Sequence, residues 1–326
     1  MTDCRYISVE VCAGLGGQAL GLEQAGFDPA LLVDSNENAC ETVRLNRPGW
    51  DVRCMDLLSD EVVDAVELSV SFDQGLDLLS GGLPRIKSAA QVARADDAEE
   101  RKVLHAVVGL AKLVRPRAVL IENLDALVSG PKFEFDRDWI AEELGGAGYR
   151  IEWQILDAVD FGVPQYRKSG FMIGLSSRVP GEFHWPRPHN VGRTSVGEAL
   201  RTSMAARGWH GAERWSNERA TRPGPALVGG SDRRGGADLG PSGSKRAWLT
   251  SAAINGKSLG DEAPGPDFPE DGTPRITVQQ AGILQCIPKD WRICGRKTAA
   301  YRQVGHALPP PVARAVGNAL AAALAG

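Results

Sequence analysis

The sequence has 326 residues, a formal net charge of −4 and a hydrophobic content of 43%, values typical of an ordinary soluble globular protein. This length is large for a single core, so we expect one large domain and a smaller one. The acidic balance excludes a surface coated in basic residues but allows local basic patches. No apolar run approaches the roughly 18 residues of a membrane helix, and the N-terminus lacks a signal-peptide pattern. We therefore expect a cytoplasmic protein with no membrane segment.

The first half of the chain alternates strand-like and helix-like segments. Residues 7–14, "ISVEVCAG", form a β-rich run that ends in glycine, and "QALGLEQAGF" follows with apolar residues at helical spacing. The segment "ALLVDSNENACETVRLN" repeats this plan, and "LDLLSGG" and "PRAVLIENL" are two more strands with the helix "EERKVLHAVVGLAKLVR" between them. This alternation predicts an α/β fold with a doubly wound, mainly parallel sheet. Ligands of such sheets bind at the carboxyl ends of the strands.

The second half changes in composition. Residues 178–246 are rich in Gly, Pro, Ser and Arg, and they contain 12 Lys and Arg against 6 Asp and Glu. Regular structure resumes at "ITVQQAGILQ", and "PPPVARAVGNALAAALAG" predicts a proline-started C-terminal helix that returns to the first domain. We therefore assign residues 1–175 and 299–326 to one domain and residues 176–298 to a smaller, irregular, basic domain.

The tryptophans and cysteines of the chain allow more than one role. Trp185, Trp209, Trp215 and Trp248 are compatible with base stacking, but we favour a core role because a small irregular domain needs core aromatics. The six cysteines, at positions 4, 12, 40, 54, 286 and 294, show no CxxC pair and no zinc-like histidine spacing. They predict reduced thiols and no metal site.

Three consecutive strand ends carry residues suited to a nucleoside. "AGLGGQALGLE" is a glycine-rich turn that leads into a helix, where backbone can approach a ligand closely. Asp34 ends the second strand about 20 residues further on, as expected for a carboxylate that accepts hydrogen bonds from ribose hydroxyls. Asp56 follows a possible third strand and suits an adenine amino group. Each acid alone is more often a solvated helix cap, but the ordered set favours a nucleoside cofactor.

With these segments in order, the chain resembles the DNA cytosine-5 methyltransferase family over nearly its whole length. The segments that carry the resemblance are "CAGLGGQALGLEQAGF", "VDSNENACETVRLN", "LLSGGLP", "IENL", "DFGVPQYRKSGFMIGL", "RITVQQAGILQCIPKDW" and "YRQVGHALPPPVARAVGNAL". The resemblance implies a class I, Rossmann-like methyltransferase fold with S-adenosyl-L-methionine or S-adenosyl-L-homocysteine as its cofactor. The cofactor contacts that it implies are Cys12, Ala13, Gly14, Gly16, Gly17, Asp34, Ser35, Asp56, Leu57, Gly81, Pro84, His306 and Ala307.

The resemblance also implies double-stranded DNA as the partner and the basic insertion as a target-recognition domain. The preference for DNA over RNA rests on the resemblance alone, since one branch of the family modifies transfer RNA. Candidate DNA contacts follow from the motifs and from the basic insertion: Arg85, Lys87, Gln165, Arg233, Arg234, Lys245 and Arg246.

The chemistry of this family requires a thiolate, which adds to carbon 6 of cytosine before the methyl group is transferred. A glutamate holds the flipped base at N3 and N4, and an arginine supports it. The resemblance places Glu122, Asn123 and Arg167 in these catalytic roles.

The pattern breaks at the nucleophile. The family's cysteine directly follows the proline of "LLSGGLP", and this chain has Arg85 there. A guanidinium stays protonated at physiological pH and cannot form the covalent adduct. Ser169 also replaces a second arginine, Cys12 an aromatic residue and His306 an asparagine.

Two functions remain open from the sequence. The first is a cofactor- and DNA-binding homologue without its own catalysis, serving as the partner of an active methyltransferase subunit or as a regulator in DNA modification. The second is an active cytosine methyltransferase that uses another nucleophile, a partner chain or an altered chemistry. The spacing of the other thiols aims none of them at the base, and Lys87, beside Arg85, suits a phosphate contact better than a nucleophile. We favour the first function.

Overall fold

The computed structural model describes residues 6–70, 75–85, 96–188, 192–229 and 236–326. The chain divides into two units, each with its own internal contacts. Unit 1 consists of Met1–Leu156, Lys168–Arg187 and Val312–Gly326, and unit 2 of Asp157–Arg167 and Pro188–Pro311.

Unit 1 is built on a seven-stranded sheet. Its strands are β1 (Tyr6–Val11), β2 (Phe27–Asp34), β3 (Val52–Cys54), β4 (Leu78–Gly82), β5 (Ala118–Asn123), β6 (Tyr149–Asp157) and β8 (Lys168–Ser176). Their order across the sheet is β3-β2-β1-β4-β5-β8-β6. The five strands from β3 to β5 pair in parallel, and β8 pairs antiparallel with β5. The predicted fold class, a mainly parallel Rossmann-like sheet, is confirmed.

Helices follow the strands of unit 1 along the chain. They are α1 (Gly17–Gln24), α2 (Glu37–Asn46), α3 (Glu61–Ser69), α4 (Asp96–Val114), α5 (Asp125–Ser129), α6 (Glu134–Gly146) and the last helix, α12 (Pro310–Ala325). The central strands carry apolar side chains on both faces, as in β5, where every residue is buried. A parallel strand covered on both faces reads as a continuous apolar run, which is why the sequence pattern identified these strands.

The proline-started helix α12 forms where the sequence predicted it. A Cβ on Gly317 would lie 2.7 Å from the Cβ of Ala25, so a residue without a side chain allows close approach to the end of α1. The Tyr6 hydroxyl donates to the carbonyl of Ala321 at 3.1 Å. From Val312 onward, the C-terminal helix is part of unit 1.

Unit 2 contains more helix than the sequence predicted. Its elements are β7 (Gln165–Tyr166), α7 (Val196–Ala205), α8 (Ala212–Arg214), β9 (Gly224–Pro225), α9 (Ser242–Ala252), α10 (Val278–Leu284) and α11 (Lys297–His306). The predicted irregularity is therefore wrong for α7 and α9. A capping box of Ser195 and Glu198 begins α7, and this S-x-x-E pattern was the available signal.

Three of the four tryptophans of the basic region are buried in unit 2, which confirms the core interpretation for Trp209, Trp215 and Trp248. The indole N–H groups of Trp209 and Trp215 donate to backbone carbonyls at 3.0 and 2.9 Å. In the ranges that the structure describes, no helix is both long enough and apolar enough to cross a membrane.

Candidate cofactor and nucleic-acid site

The glycine turn after β1 adopts a backbone that favours glycine. Gly14 and Gly16 have φ angles of 55° and 86°, and a Cβ on Gly14 would meet no atom within 4 Å. Cys12 also has a positive φ, 54°, which is uncommon for a residue with a side chain. The turn therefore leaves open space beside its backbone at the carboxyl edge of the sheet.

The carboxylate of Asp34 holds this turn from the neighbouring strand. Its oxygens accept hydrogen bonds from the backbone N–H groups of Gly14 and Asn36, each at 2.8 Å. Burial raises the pKa of Asp34, and the two backbone donors oppose that rise. Asp34 thus ends β2 beside the glycine turn, as the sequence predicted.

Asp56 and its neighbours lie at the end of the adjacent strand. Cys54 is the register partner of Asp34 across the β2–β3 pair, and Asp56 follows it by two residues. Asp56 is exposed, and its Oδ1 accepts the N–H of Leu58 at 3.0 Å. The strand ends of unit 1 therefore bring together these predicted cofactor residues: Cys12, Ala13, Gly14, Gly16, Gly17, Asp34, Ser35, Asp56 and Leu57.

The end of β4 is fixed by the end of β5. A Cβ on Gly81 would lie 2.9 Å from a methyl carbon of Leu83 and 3.2 Å from the carbonyl oxygen of Val11, so a side chain there would require these neighbours to shift. The amide of Asn123 donates to the carbonyls of Leu83 and Pro84 at 3.4 and 3.2 Å. Asn123 is thus a positioning residue that fixes the backbone from which Arg85 extends.

Arg85 pairs with Glu122 in unit 1. Its Nη2 lies 3.6 Å from Oε1 of Glu122, and the two side chains are 42% and 5% exposed. Gly82 is the register partner of Glu122 across the β4–β5 pair, so the parallel register brings these strand ends together. This distance makes an ion pair rather than a hydrogen bond, and among the described residues no donor hydrogen-bonds to Oε1.

The thiols of four cysteines, Cys12, Cys40, Cys54 and Cys286, are not activated. Burial raises the pKa of Cys12, and it raises the pKa of Cys40 to about 12 and that of Cys286 to about 11. A hydrogen bond with Glu37 raises the pKa of Cys54. Since the thiolate is the nucleophile, these environments suppress the reactive form.

In unit 2, the side chain of Arg167 is buried and binds carbonyl groups of the protein backbone. It is 3% exposed, and its guanidinium donates to the carbonyls of Leu227, Gly305 and His306 at 3.1, 3.1 and 3.4 Å. The backbone N–H of Arg167 donates to the carboxylate of Asp157 at 2.9 Å. Arg167 therefore joins three segments of unit 2 that are distant in sequence.

Gln165 was predicted to contact DNA, but the structure buries it completely in unit 2. Its amide donates to the carbonyl of Leu284 and to Oε1 of Gln285, at 2.8 and 2.9 Å, and its own Oε1 accepts the N–H of Leu227 at 3.0 Å. A side chain with these internal partners is not available to DNA in this conformation. Its place is structural, because buried amides need such partners.

Gln285 completes this network, and the sequence reasoning did not single it out. Its amide donates to the carbonyls of Val304 and Ala307 at 2.8 and 3.3 Å. Together, Arg167 and Gln285 bind every carbonyl from residue 304 to residue 307. The segment that holds the predicted cofactor residues His306 and Ala307 is therefore fixed from within unit 2.

The predicted DNA contacts lie in different settings. Lys245 pairs with Asp238 at 2.9 Å, and Arg246 is exposed on α9. Lys87, Arg233 and Arg234 lie outside the described residues. For metals, no cluster of three or more His, Cys, Asp or Glu side chains suited to an ion occurs in the described ranges.

The sheet order and the glycine turn with its neighbouring carboxylates define an α/β protein of the nucleoside-cofactor class. The family model for C-5 cytosine-specific DNA methylase matches residues 6–322, so the chain belongs to the C-5 cytosine-specific DNA methylase family.

Relatives agree with this assignment. The chain is 40% identical over 319 residues to the type II methyltransferase M.NaeI of Lentzea aerocolonigenes, covering 97% of this chain and 75% of that protein. It is 36% identical to M.NgoMIV of Neisseria gonorrhoeae, covering 98% of both chains. Among solved structures, a putative DNA modification methyltransferase encoded within an Escherichia coli prophage aligns with a TM-score of 0.69 at 19% identity, covering 98% of this chain and 100% of that one. That likeness concerns the fold.

The family uses S-adenosyl-L-methionine as its methyl donor. The residues of unit 1 fit an adenosyl group, because the space beside Gly14 adjoins a carboxylate at the end of β2 and the exposed Asp56 follows β3. Carboxylates accept hydrogen bonds from hydroxyl and amino groups, which are the hydrogen-bond donors of adenosine.

Proposed function

We propose that this protein is a member of the C-5 cytosine methyltransferase family that binds S-adenosyl-L-methionine and duplex DNA but does not methylate DNA by itself. In this proposal it acts as the partner of an active methyltransferase subunit, or as a regulator, in DNA modification and restriction. Arg85 occupies the position that, by resemblance, belongs to the nucleophilic cysteine.

The observation that carries the proposal is the ion pair between Arg85 and Glu122. A guanidinium, 3.6 Å from the carboxylate, extends from the backbone that follows Pro84. It has no lone pair with which to attack carbon 6 of cytosine, and arginine does not lose its proton in proteins. The pair also engages the glutamate that would otherwise hold the base.

The raised thiol pKa values support the same conclusion. Cys12, Cys40, Cys54 and Cys286 are each held in the thiol form by their surroundings. A substitute nucleophile among these four is therefore disfavoured.

We further propose that residues 176–298 act as a target-recognition domain that binds DNA through exposed cations. Arg246 is exposed on α9, whereas Lys245 is paired with Asp238.

Replacing both Arg233 and Arg234 by alanine is expected to reduce the salt dependence of DNA binding. The slope of the logarithm of the binding constant against the logarithm of the salt concentration should fall by roughly 0.9 for each phosphate that the variant no longer neutralises. An unchanged slope would point to another partner for this region.

A second candidate is an active enzyme completed by another chain. The observation that favours it is the intact end of β5, where Asn123 still fixes the backbone of Leu83 and Pro84. If a partner chain supplied a thiolate, the backbone at the ends of β4 and β5 would already be positioned around it.

Methyl transfer distinguishes the two candidates. The purified chain is incubated with tritiated S-adenosyl-L-methionine and mixed duplex DNA, alone and with candidate methyltransferase partners, and cofactor binding is measured separately by calorimetry. We expect cofactor binding without label in DNA for the chain alone. Label transferred by the isolated chain would refute the proposed function.

A further inference from the structure

The Arg85–Glu122 pair also bears on how DNA would be bound. Glu122 lies at the end of β5 with its side chain only 5% exposed. A carboxylate in such a place needs a partner, because an uncompensated buried charge is strongly unfavourable. Arg85 supplies that partner from within the chain.

The guanidinium matches the kind of ligand that a carboxylate selects. It is planar and offers parallel N–H donors in a rigid fork. The amino group of cytosine also offers a carboxylate an N–H donor, but it lies beside the acceptor N3 and carries no positive charge. A base that entered this site would have to displace the Arg85 guanidinium from the buried Glu122 carboxylate. The interaction of the base with Glu122 would be weaker than the ion pair that it replaced.

The backbone that positions Arg85 is also fixed. Asn123, which is fully buried, donates to the carbonyls of Leu83 and Pro84, the two residues that precede Arg85. The Arg85 side chain therefore extends from a backbone position that is held on its N-terminal side. Extruding a base from the duplex, by contrast, costs unstacking and unpairing energy that only a receptive pocket returns.

We propose that Arg85 takes the place of an extruded base beside Glu122, so that this protein binds duplex DNA with all its bases stacked. This inference rests on the proposed function, because it assumes that the chain binds DNA. The bound DNA is then an intact duplex, and contacts to its phosphates and grooves supply the affinity.

The test uses 2-aminopurine, whose fluorescence rises when it leaves the stack. Duplexes bound by the full-length protein are selected from a randomised pool, and 2-aminopurine is placed at each position of the recovered sequence in turn. We expect no position to brighten with the wild-type protein. We expect Arg85→Ala to give a several-fold rise at one position, because the Glu122 site is then free for a base.

Matched variants separate the loss of the pair from the loss of a positive charge. Arg85→Lys keeps a cation beside Glu122, so we expect no rise in 2-aminopurine fluorescence. Arg150→Ala removes an arginine from β6 and is expected to behave as wild type.

A several-fold rise in fluorescence at any position with the wild-type protein would overturn the inference while leaving non-catalytic DNA binding intact. Methyl transfer by the isolated chain would instead overturn the proposed function, and failure to bind any duplex would overturn both. The wild-type measurement is decisive even if a variant does not fold.

Discussion

The backbone N–H of Gly14 donates a hydrogen bond of 2.8 Å to the carboxylate of Asp34. A residue at the end of β2 therefore holds the turn that follows β1, and the two strand ends act as one structure. The same carboxylate accepts the N–H of Asn36 at 2.8 Å, so Asp34 organises its own loop as well.

Replacing Asp34 by asparagine tests this arrangement. Asn lacks the second acceptor oxygen and the charge, so we expect affinity for S-adenosyl-L-homocysteine to fall by about 10- to 100-fold, the range for a hydrogen bond to a charged group. Calorimetric titration measures the change. Asp28→Asn, at an exposed position of the same strand, is the matched control and should bind as wild type. Equal affinities for both variants would exclude Asp34 from the cofactor site.

Glu10, buried in β1, should make stability depend on pH. Burial raises its pKa from the usual 4.5 to about 8. The folded state therefore binds more protons than the unfolded state between these values, and the free energy of unfolding falls as pH rises through this window. We expect a loss of about 2 kcal/mol between pH 6 and pH 8 from this one group.

The comparison is urea unfolding of the wild type and of Glu10→Gln at both pH values. The neutral amide should remove this decline, so the two proteins should differ more at pH 8 than at pH 6. Glu67→Gln, at an exposed position of α3, should keep the wild-type dependence. Parallel pH profiles for wild type and Glu10→Gln would contradict the assignment.

Gln285 should be important for the stability of unit 2. Leucine at this position would leave the carbonyls of Val304 and Ala307 and the amide of Gln165 without their present partner. We expect a loss of about 2–3 kcal/mol in the free energy of unfolding, since buried polar groups would lose their hydrogen bonds. Gln279→Leu, at an exposed position of α10, should change stability by less than about 0.5 kcal/mol. Urea unfolding measures both, and similar values for the two variants would show that the network contributes little.

Gly305 should not tolerate a side chain. A Cβ there would lie 2.4 Å from the Cα and N of Gly229, and backbone cannot give way as a flexible side chain can. We expect Gly305→Ala to lower the free energy of unfolding by about 1–3 kcal/mol through overpacking. Gly282→Ala is the matched control, because its Cβ would be 3.8 Å from the nearest atom, an ordinary contact. A melting temperature for Gly305→Ala at or above that of Gly282→Ala would refute the close approach.

The sequence predicted the sheet and the strand-end residues because both depend on local patterns. The apolar runs of β4 and β5, the glycines after β1 and the position of Asp34 can each be recognised within a few residues. The pairing of Arg85 with Glu122 could not, because it arises from the register that aligns Gly82 with Glu122 across β4 and β5. Composition showed which residues were present but not which charges would meet.

The structure of unit 2 was harder to predict from the sequence than the sheet of unit 1. Its Gly- and Pro-rich composition concealed α7 and α9, although the capping box at Ser195 was visible. Gln165 was assigned to DNA from its motif, but its neighbours Leu284 and Gln285 lie about 120 residues away and bury it. Long-range contacts of this kind decide whether a polar residue binds a partner or supports the fold.

The most direct test of the central claim is covalent trapping on DNA. Duplexes with 5-fluorocytosine at every cytosine are incubated with the chain and S-adenosyl-L-methionine, and denaturing electrophoresis with mass spectrometry detects any protein–DNA bond. We predict no trapped species, because in the proposed function the guanidinium of Arg85 takes the position from which a thiolate would attack carbon 6. We also expect Arg85→Cys to trap little, since by the resemblance Ser169 also stands in place of a second arginine. A stable adduct of the wild-type chain, through whichever side chain, would contradict the account.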